Sequence, residues 1–220
     1  DVGFLTSNAE LTGDVDRLFQ QLASLSTPQQ SRQLLLAPFN LQRQCLEYIR
    51  RARDAARAGL DARVVIKCNA MTDEPLIRGL VDAAQAGVRV DLVVRGACVL
   101  PPGVPELTER IRVRSVVGRM LEHTRVFYFR WGSSDADEVL YLSSADFMNR
   151  NMTRRIEAAW PVRDAVLRQR VIDECLVPYL LDNQDAWQQL PDGRYERVGD
   201  EGLLPRSAQQ ALMNRYRALV

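Results

Sequence analysis

The sequence predicts an α/β fold in which a mixed sheet is flanked by helices. Two almost continuously apolar runs, at 62–70 and 88–96, alternate with amphipathic helical segments, as in parallel strands covered on both faces. Three further runs of strand composition follow at 111–118, 124–131 and 138–145, and GSSDAD between the last two indicates a hairpin. With 220 residues, of which 46% are hydrophobic, the chain can bury a substantial core.

The N-terminal part predicts a helix followed by a short strand. Helical spacing over 14–25 places five apolar residues on one side: Val15, Leu18, Phe19, Leu22 and Leu25. STPQQSR, at 26–32, has the composition of a linker. QLLLAPF, at 33–39, predicts a short buried strand that ends at Pro38.

Two helices connect the first three predicted strands. One covers about 41–58, between a capping Asn40 and a terminating Gly59. The other covers 73–86 and ends before Gly87. Because strands and helices alternate here, we expect these three strands to be parallel to one another.

The C-terminal part predicts a last strand, a long helix, a turn and a final helix. In order, these are an edge strand at 154–162, a helix at 164–182, an exposed turn or hairpin in LPDGRYERV, and a helix at 206–218.

Composition excludes several classes of protein. A net charge of +1 is not that of a polycation, so anion binding requires local clustering of basic residues. Four dispersed cysteines and one histidine argue against a disulfide framework and a zinc site, and favour reduced thiols in the cytoplasm. The given sequence contains no run of 18 apolar residues and no stretch with the basic, apolar and then small-residue pattern of a leader. Because the chain begins with Asp1 rather than Met, we expect a fragment of a longer protein.

Polar residues follow three predicted strands, where an α/β sheet places its ligands. They are Lys67 and Asn69 after the second strand, Arg95 after the third, and Ser143, Ser144 and Asp146 after the strand at 138–145. Each alone is most often an ordinary solvated strand end, but three together on neighbouring units indicate a site.

Residues 110–130 contain the single histidine, His123, within an arginine-rich stretch. The stretch contains a single acid, Glu122, and six arginines: Arg110, Arg112, Arg114, Arg119, Arg125 and Arg130. Such stretches are usually solvated surfaces, but arginine also binds phosphate oxygens with two parallel hydrogen bonds. An imidazole beside a cation, with hydroxyls and an acid on the next strand, favours phosphoryl transfer.

The pattern His123-Thr-Arg125 followed by Ser143-Ser144-x-Asp146 is similar to the H-x-K…G-S-x-N motif of the phospholipase D superfamily. The sequence departs from that motif, since Arg125 replaces Lys, Ser143 replaces Gly and Asp146 replaces Asn. The acid that follows the motif's Lys is also missing, and Arg130 stands in its place.

Longer segments resemble one branch of that superfamily, the C-terminal catalytic region of type 1 polyphosphate kinases. They are VRVDLVVRGACVLPPGVPEL, IRVRSVVGRMLEHTRVFYF and EVLYLSSADFMNRNMTRRIEAAWPV, and LLLAPFN and AGVRVDL support them. The likeness covers about residues 1–200. It implies that 1–32 are the tail of a preceding catalytic domain, 33–190 a second phospholipase D-like domain, and 191–220 a C-terminal turn and helix.

The resemblance implies reversible transfer of the ATP γ-phosphate to polyphosphate through a phosphohistidine that lies in the preceding domain. Arg95 and His123 match positions that contact ATP phosphates, and His123 would assist as a general acid or base. Candidates for a polyphosphate-contacting wall are Lys67, Asn69, Arg114, Arg119, Arg125 and Ser144. Mg²⁺ is expected with ATP, held by ligands outside this chain.

The same resemblance implies ATP or ADP and polyphosphate as partners, no nucleic acid, a homo-oligomeric full-length protein, and a cytoplasmic location with peripheral membrane association left open. Two other functions remain open. One is a dimeric phospholipase D-like phosphodiesterase or nuclease that pairs two copies of His123. The other is a non-catalytic anion-binding domain.

Overall fold

A nine-stranded mixed sheet is the centre of the fold in the computed structural model, which describes residues 1–25, 31–199 and 202–217. The strands are β1 (Leu35–Ala37), β2 (Arg63–Cys68), β3 (Arg89–Val94), β4 (Ile111–Val116), β5 (Val126–Arg130), β6 (Glu138–Ser143), β7 (Glu157–Pro161), β8 (Ala186–Gln189) and β9 (Tyr195–Arg197). Their order across the sheet is β1-β7-β6-β5-β2-β3-β4-β8-β9. β2, β3 and β4 are parallel neighbours, and the other adjacent pairs are antiparallel.

Helices cover both faces of this sheet. They are α1 (Ala9–Ser24), α2 (Leu41–Arg57), α3 (Glu74–Gln85), α4 (Asn149–Thr153), α5 (Ala165–Val171), α6 (Val177–Leu181) and α7 (Ala208–Arg217). Within the described ranges, no helix is both long enough and apolar enough to cross a lipid bilayer. The predicted α/β class, a mixed sheet flanked by helices, is confirmed.

The core has a layer on each side of the sheet because successive strand residues point to opposite faces. On one face, α2 and α3 pack over the sheet, where residues such as Leu92 and Phe127 are fully buried. On the other face, Val65 packs beneath the α5–α6 region and Val93 lies in a cluster with Tyr179 and residues of α7. Burial on both faces explains why the central strands are almost continuously apolar.

β1 runs in the same direction as β2 and β3, as predicted, since four successive antiparallel pairings separate it from β2. It is not their neighbour, however: β2 and β3 pair with each other, whereas β1 is the outermost strand on one side of the sheet and pairs antiparallel with β7, with Leu35 opposite Ala159. The segment at 154–162 was predicted to be an edge strand, yet β7 lies between β1 and β6. The reason is that β5, β6 and β7 insert between β1 and β2, so neighbours in sequence are not neighbours in the sheet.

Of the apolar side predicted for α1, only Leu18 is buried. The helix buries Leu11 and Leu18 against the region of β1, whereas Phe19 is 66% exposed and Val15, Leu22 and Leu25 are exposed too. It begins at Ala9 because the side chain of Asn8 accepts the N–H groups of the first turn. Residues 26–30 of the predicted linker lie outside the described residues.

Two predicted helices differ in detail from those in the structure. Asn40 makes no capping bond to α2, and its side chain instead accepts the N–H of Leu36 at 2.6 Å. The helix predicted over 164–182 is interrupted by a π-helical turn at Ile172–Leu176, which separates α5 from α6. Pro178 lies just beyond this turn, and it has no N–H with which to continue regular helical bonding.

The predicted C-terminal hairpin is confirmed by β8 and β9. Trp187 pairs with Arg197, and Gly193 has a φ of +85° in the connecting turn. The final helix is also confirmed, although residues 218–220 are not described. The division into 1–32, 33–190 and 191–220 stays a prediction, and β9 extends the same sheet as β8.

Asp14 ties α1 to the segment that leads into β1. Its buried carboxylate accepts the N–H groups of Arg32 at 3.1 Å, Gln33 at 2.6 Å and Leu34 at 3.0 Å, and it pairs with Arg17. Burial by itself raises the pKa of Asp14, but these donors outweigh it and hold the pKa below its usual value.

We predict that Asp14→Ala weakens the attachment of α1 by about 1–3 kcal/mol, because three backbone N–H groups lose their acceptor. Amide hydrogen exchange of α1 at neutral pH measures this loss, with the exposed Asp16→Ala as the control. Because the folded pKa is lowered, the carboxylate stabilises the attachment above about pH 4, its unfolded pKa, and this is lost as the pH falls through the folded pKa. Equal exchange rates in the two variants would contradict the prediction.

Candidate functional site

The ends of three strands meet at one edge of the sheet. β2 and β3 are parallel, and β5 is antiparallel to both β2 and β6. The carboxyl ends of β2, β3 and β6 therefore lie beside the residues that precede β5. This edge brings together Lys67, Asn69, Arg95, His123, Arg125 and Asp146, as the positions of the strand ends predict.

The residues that precede β5 have no regular secondary structure, and we call 119–125 the histidine segment. Arg125 fixes its C-terminal end. Its Nε and one terminal nitrogen donate to Asp146 at 3.0 and 3.3 Å, and its other terminal nitrogen donates to the carbonyl of His123 at 3.0 Å. The guanidinium is therefore occupied by protein acceptors and positions the backbone of His123.

Asp146 connects three strands at this edge. It follows β6, binds Arg125 ahead of β5, and accepts the N–H of Asn69 beyond β2 at 2.7 Å. Asp146 is buried and Arg125 is only partly exposed, so solvent screens this ion pair less than a surface pair. Removing either side chain would leave a poorly solvated charge or N–H group.

Arg95 lies against the middle of the histidine segment. Its guanidinium donates to the carbonyl of Glu122, and its own carbonyl accepts the hydroxyl of Ser115 at 2.8 Å. The next residue is Gly96, where an added Cβ would lie 3.0 Å from the carbonyl oxygen of Asn69. The strand end is thus closely packed, and Arg95 contacts the residue immediately before His123.

His123 is exposed at this edge. Its main-chain N–H donates to a carboxylate oxygen of Asp1 at 3.2 Å, and its main-chain carbonyl accepts from Arg125. The backbone of the residue is therefore held on both sides, while the residue remains accessible to a ligand from solvent.

Lys67 has its ammonium enclosed by protein. The residue is 3% exposed, and its Nζ lies 2.8 Å from a carboxylate oxygen of Glu122 and 3.7 Å from the ring centroid of Tyr179. Burial lowers the pKa of Lys67, and the Glu122 carboxylate opposes this effect. Burial raises the pKa of Glu122, but Lys67, Gln209 and Tyr179 outweigh it and hold that pKa below its usual value.

The remaining candidates for a polyphosphate-contacting wall are placed differently from one another. Arg119 is exposed in the histidine segment, and Asn69 is half-buried. Ser144 is exposed and donates to a carboxylate oxygen of Glu157 at 2.5 Å. Arg114 donates to the carbonyls of Leu180 and Asp182 at 2.7 and 3.2 Å, and burial lowers its pKa.

Sequence reasoning missed the contacts that hold Glu122. Tyr179 donates its hydroxyl to both carboxylate oxygens at 3.0 Å, and Gln209 donates to one of them at 2.9 Å. The one available signal was that Glu122 is the single acid in an arginine-rich stretch. No local pattern could have indicated Tyr179 or Gln209, because they lie far along the chain.

The acids at this edge are already engaged by other groups. Glu122 binds Lys67, Asp146 binds Arg125, and Glu157 accepts from Ser144 and Asn151. In the part of the chain that the structure describes, no three histidine, cysteine, aspartate or glutamate side chains form a group suited to a metal ion. This set of residues does not fit a magnesium ion held by side chains of the chain alone.

Comparisons with known proteins identify the family of the chain. Residues 34–209 match the family model described as polyphosphate kinase C-terminal domain 2. The polyphosphate kinase of Burkholderia multivorans is 46% identical over 216 residues, and that of Paraburkholderia phytofirmans is 45% identical over the same length. Each alignment covers 98% of this chain, which spans 31% of the length of those curated relatives.

A solved structure gives the same result. The crystal structure of polyphosphate kinase from Porphyromonas gingivalis superposes with a TM-score of 0.90 at 32% identity, over 97% of this chain and 32% of that one. A phospholipase D family member from Salmonella typhimurium is more distant, with a TM-score of 0.44 and 16% identity over 64% of this chain. The chain belongs to the polyphosphate kinase family, in which it corresponds to the C-terminal domain 2.

Proposed function

We propose that this chain supplies the nucleotide- and polyphosphate-contacting half of an enzyme that transfers the γ-phosphate of ATP reversibly to polyphosphate. One observation carries the proposal: the guanidinium of Arg95 binds the carbonyl of Glu122, so Arg95 and the exposed His123 are held at the same sheet edge. The relatives named polyphosphate kinase support this choice of reaction.

Arg95 stabilises the charge of the transferring phosphoryl group. A guanidinium has five N–H donors, and one terminal nitrogen of Arg95 is used by the carbonyl of Glu122. The remaining donors bind phosphate oxygens. Because the contact to Glu122 orients the guanidinium before substrate arrives, little reorganisation is required as charge develops in the transition state.

His123 assists the bond exchange. A nucleophilic histidine outside this chain forms a bond to the γ-phosphorus of ATP, the bond from that phosphorus to the bridging oxygen breaks, and ADP leaves. His123 donates a proton to the departing oxygen and accepts one in the reverse reaction, for which an imidazole is suited near neutral pH. A terminal oxygen of polyphosphate then forms a bond to this phosphorus, the phosphorus–nitrogen bond breaks, and the nucleophilic histidine is released for the next cycle.

Magnesium enters this proposal with ATP, where it would neutralise phosphate charge, and its protein ligands are expected outside this chain. We expect the full-length protein to be a cytoplasmic homo-oligomer, with peripheral membrane association as an open alternative.

The occupied state of Arg125 favours the kinase over the dimeric phosphodiesterase. In the H-x-K motif, the residue two positions after histidine would offer a cation to the substrate. Here the donors of Arg125 bind Asp146 and the carbonyl of His123. A diester would have to displace Asp146 to reach this guanidinium.

We predict that His123→Ala in the full-length enzyme lowers polyphosphate synthesis on the order of 10²- to 10⁴-fold, the usual contribution of a general acid or base.

We predict that Arg95→Ala lowers kcat about 10²- to 10³-fold, because it removes a preorganised donor to the transition state. The measurement is steady-state transfer from ATP, with circular dichroism to confirm that the fold survives.

Arg89→Ala is the matched control for Arg95→Ala, since Arg89 is an exposed arginine at the opposite end of β3. It should transfer phosphate at the wild-type rate. Unchanged turnover of His123→Ala would instead support a non-catalytic anion-binding domain. Hydrolysis of a diester without use of ATP would favour the phosphodiesterase.

We predict that Arg125→Lys slows transfer about 10- to 100-fold, because lysine cannot bind both oxygens of Asp146 and the carbonyl of His123 together, and misplaced groups lose rate steeply. Arg130→Lys at the other end of β5 is the control, since Arg130 also donates to a carbonyl, that of Gly132. Equal rates in the two variants would show that the Arg125 contacts do not position His123.

We predict that Arg119→Ala weakens polyphosphate binding and makes its dependence on salt shallower by roughly 0.7–0.9 in log–log slope, if one phosphate contact is lost. Arg194 is an exposed arginine in the β8–β9 turn, at the opposite edge of the sheet, and Arg194→Ala is the control. Titration of the full-length enzyme with polyphosphate at several salt concentrations gives both slopes. Identical slopes would place Arg119 outside the binding surface.

A further inference from the structure

We propose that Lys67 and Glu122 form a buried ion pair that positions the histidine segment, and through it Arg95 and His123, for phosphoryl transfer. Lys67 then acts as a positioning residue and not as a direct ligand of polyphosphate. This inference rests on the proposed function of the chain.

The first argument is the lack of access to Lys67. Its side chain is 4% exposed, and its ammonium is enclosed by the carboxylate of Glu122 and the ring of Tyr179. A phosphate could reach this ammonium only by displacing Glu122, which would then be left without its cation in a poorly solvated place.

The second argument is the set of groups that meet at Glu122. Its carboxylate accepts from three elements: Lys67 on β2 at 2.8 Å, Tyr179 on α6 at 3.0 Å and Gln209 on α7 at 2.9 Å. Its main-chain carbonyl accepts from Arg95 after β3. One residue of the histidine segment is therefore attached to two strand ends and two helices.

The third argument concerns the segment itself. It has no regular secondary structure, so repeated backbone hydrogen bonds of a helix or strand do not fix its course. The side-chain amide of Gln209 also accepts the main-chain N–H of Met120 and donates to the main-chain carbonyl of Met120, both at 2.8 Å. Side-chain contacts thus determine where the segment lies, and Glu122 is adjacent in sequence to His123.

A double-mutant comparison in the full-length enzyme separates positioning from direct binding. Lys67→Met removes the ammonium but leaves the carboxylate of Glu122 buried and unpaired, so we expect kcat to fall on the order of 100-fold with a nearly unchanged KM for ATP. Adding Glu122→Gln removes the unpaired charge and keeps an acceptor for Tyr179 and Gln209. The double variant should therefore recover roughly tenfold in kcat.

Arg168→Met is the matched control for loss of stability. Arg168 binds Glu138 at 2.8 Å, and Glu138 accepts the hydroxyl of Tyr128 at 2.5 Å, so this cluster also contains a cation, an acid and a tyrosine. The pair is comparably buried, with side-chain exposures of 10% and 14%, and lies at the opposite edge of the sheet. Its disruption should lower the melting temperature and leave kcat near that of the wild type.

Hydrogen exchange gives a readout independent of turnover. The N–H groups of Met120 and His123 should exchange faster in Lys67→Met and be slowed again in the double variant, with no such change in Arg168→Met. If Lys67→Met does not fold, Glu122→Gln is compared with the double variant in the same way, because it leaves the ammonium of Lys67 unpaired.

Three results would overturn the inference. The first is a double variant that is no more active than Lys67→Met or Glu122→Gln, as expected if Lys67 binds phosphate directly. The second is a loss of kcat in Arg168→Met equal to that in Lys67→Met, and the third is wild-type turnover in Lys67→Met. A wild-type full-length enzyme that fails to transfer phosphate from ATP would reject the proposed function itself. The two failures are therefore distinguishable.

Discussion

The ion pair between Arg125 and Asp146 is the constraint on which the arrangement of the site depends. Asp146 accepts from Arg125 and from the backbone of Asn69, so a single carboxylate joins the ends of β2 and β6 to the start of β5. The same guanidinium holds the carbonyl of His123. Because the histidine segment has no regular structure, neither sheet pairing nor a local helix determines where His123 lies, and this pair holds the segment at its C-terminal end while the contacts of Glu122 hold it one residue before His123.

The parts of the fold that depend on local pattern could be predicted from the sequence. The apolar runs that became β2 and β3 are parallel neighbours, and the hairpin of β8 and β9 follows its turn residues. The position of β1 could not be predicted, since a three-residue strand carries little information about its partner. That partner, β7, comes more than a hundred residues later, and only the assembled sheet places the two side by side.

The candidate site, like the fold, could be predicted only in part from the sequence. Strand ends and a histidine in an arginine-rich stretch indicated which residues would meet, because the carboxyl ends of parallel strands share an edge. The sequence could not show which cations are free for a ligand. Arg119 is exposed, whereas the guanidinium of Arg125 and the ammonium of Lys67 are occupied by acids. That distinction requires knowing the acid's position in space, and Lys67 and Glu122 are 55 residues apart.

The choice of lysine at position 67 has a physical reason. An ammonium is a compact charge on a long apolar stem, so it can be buried with its stem inside the sheet's apolar layer and still face a carboxylate and an aromatic ring. The Arg168 cluster at the opposite edge has similar chemistry, but there the cation on α5 is joined to the start of β6, two regular elements whose backbones are already hydrogen-bonded. The Lys67 cluster instead holds a segment that has no such bonding. Ion pairs of similar composition thus differ in consequence. At one edge the pair adds stability to structure that the backbone already determines, and at the other it acts with the Arg125–Asp146 pair to position the histidine.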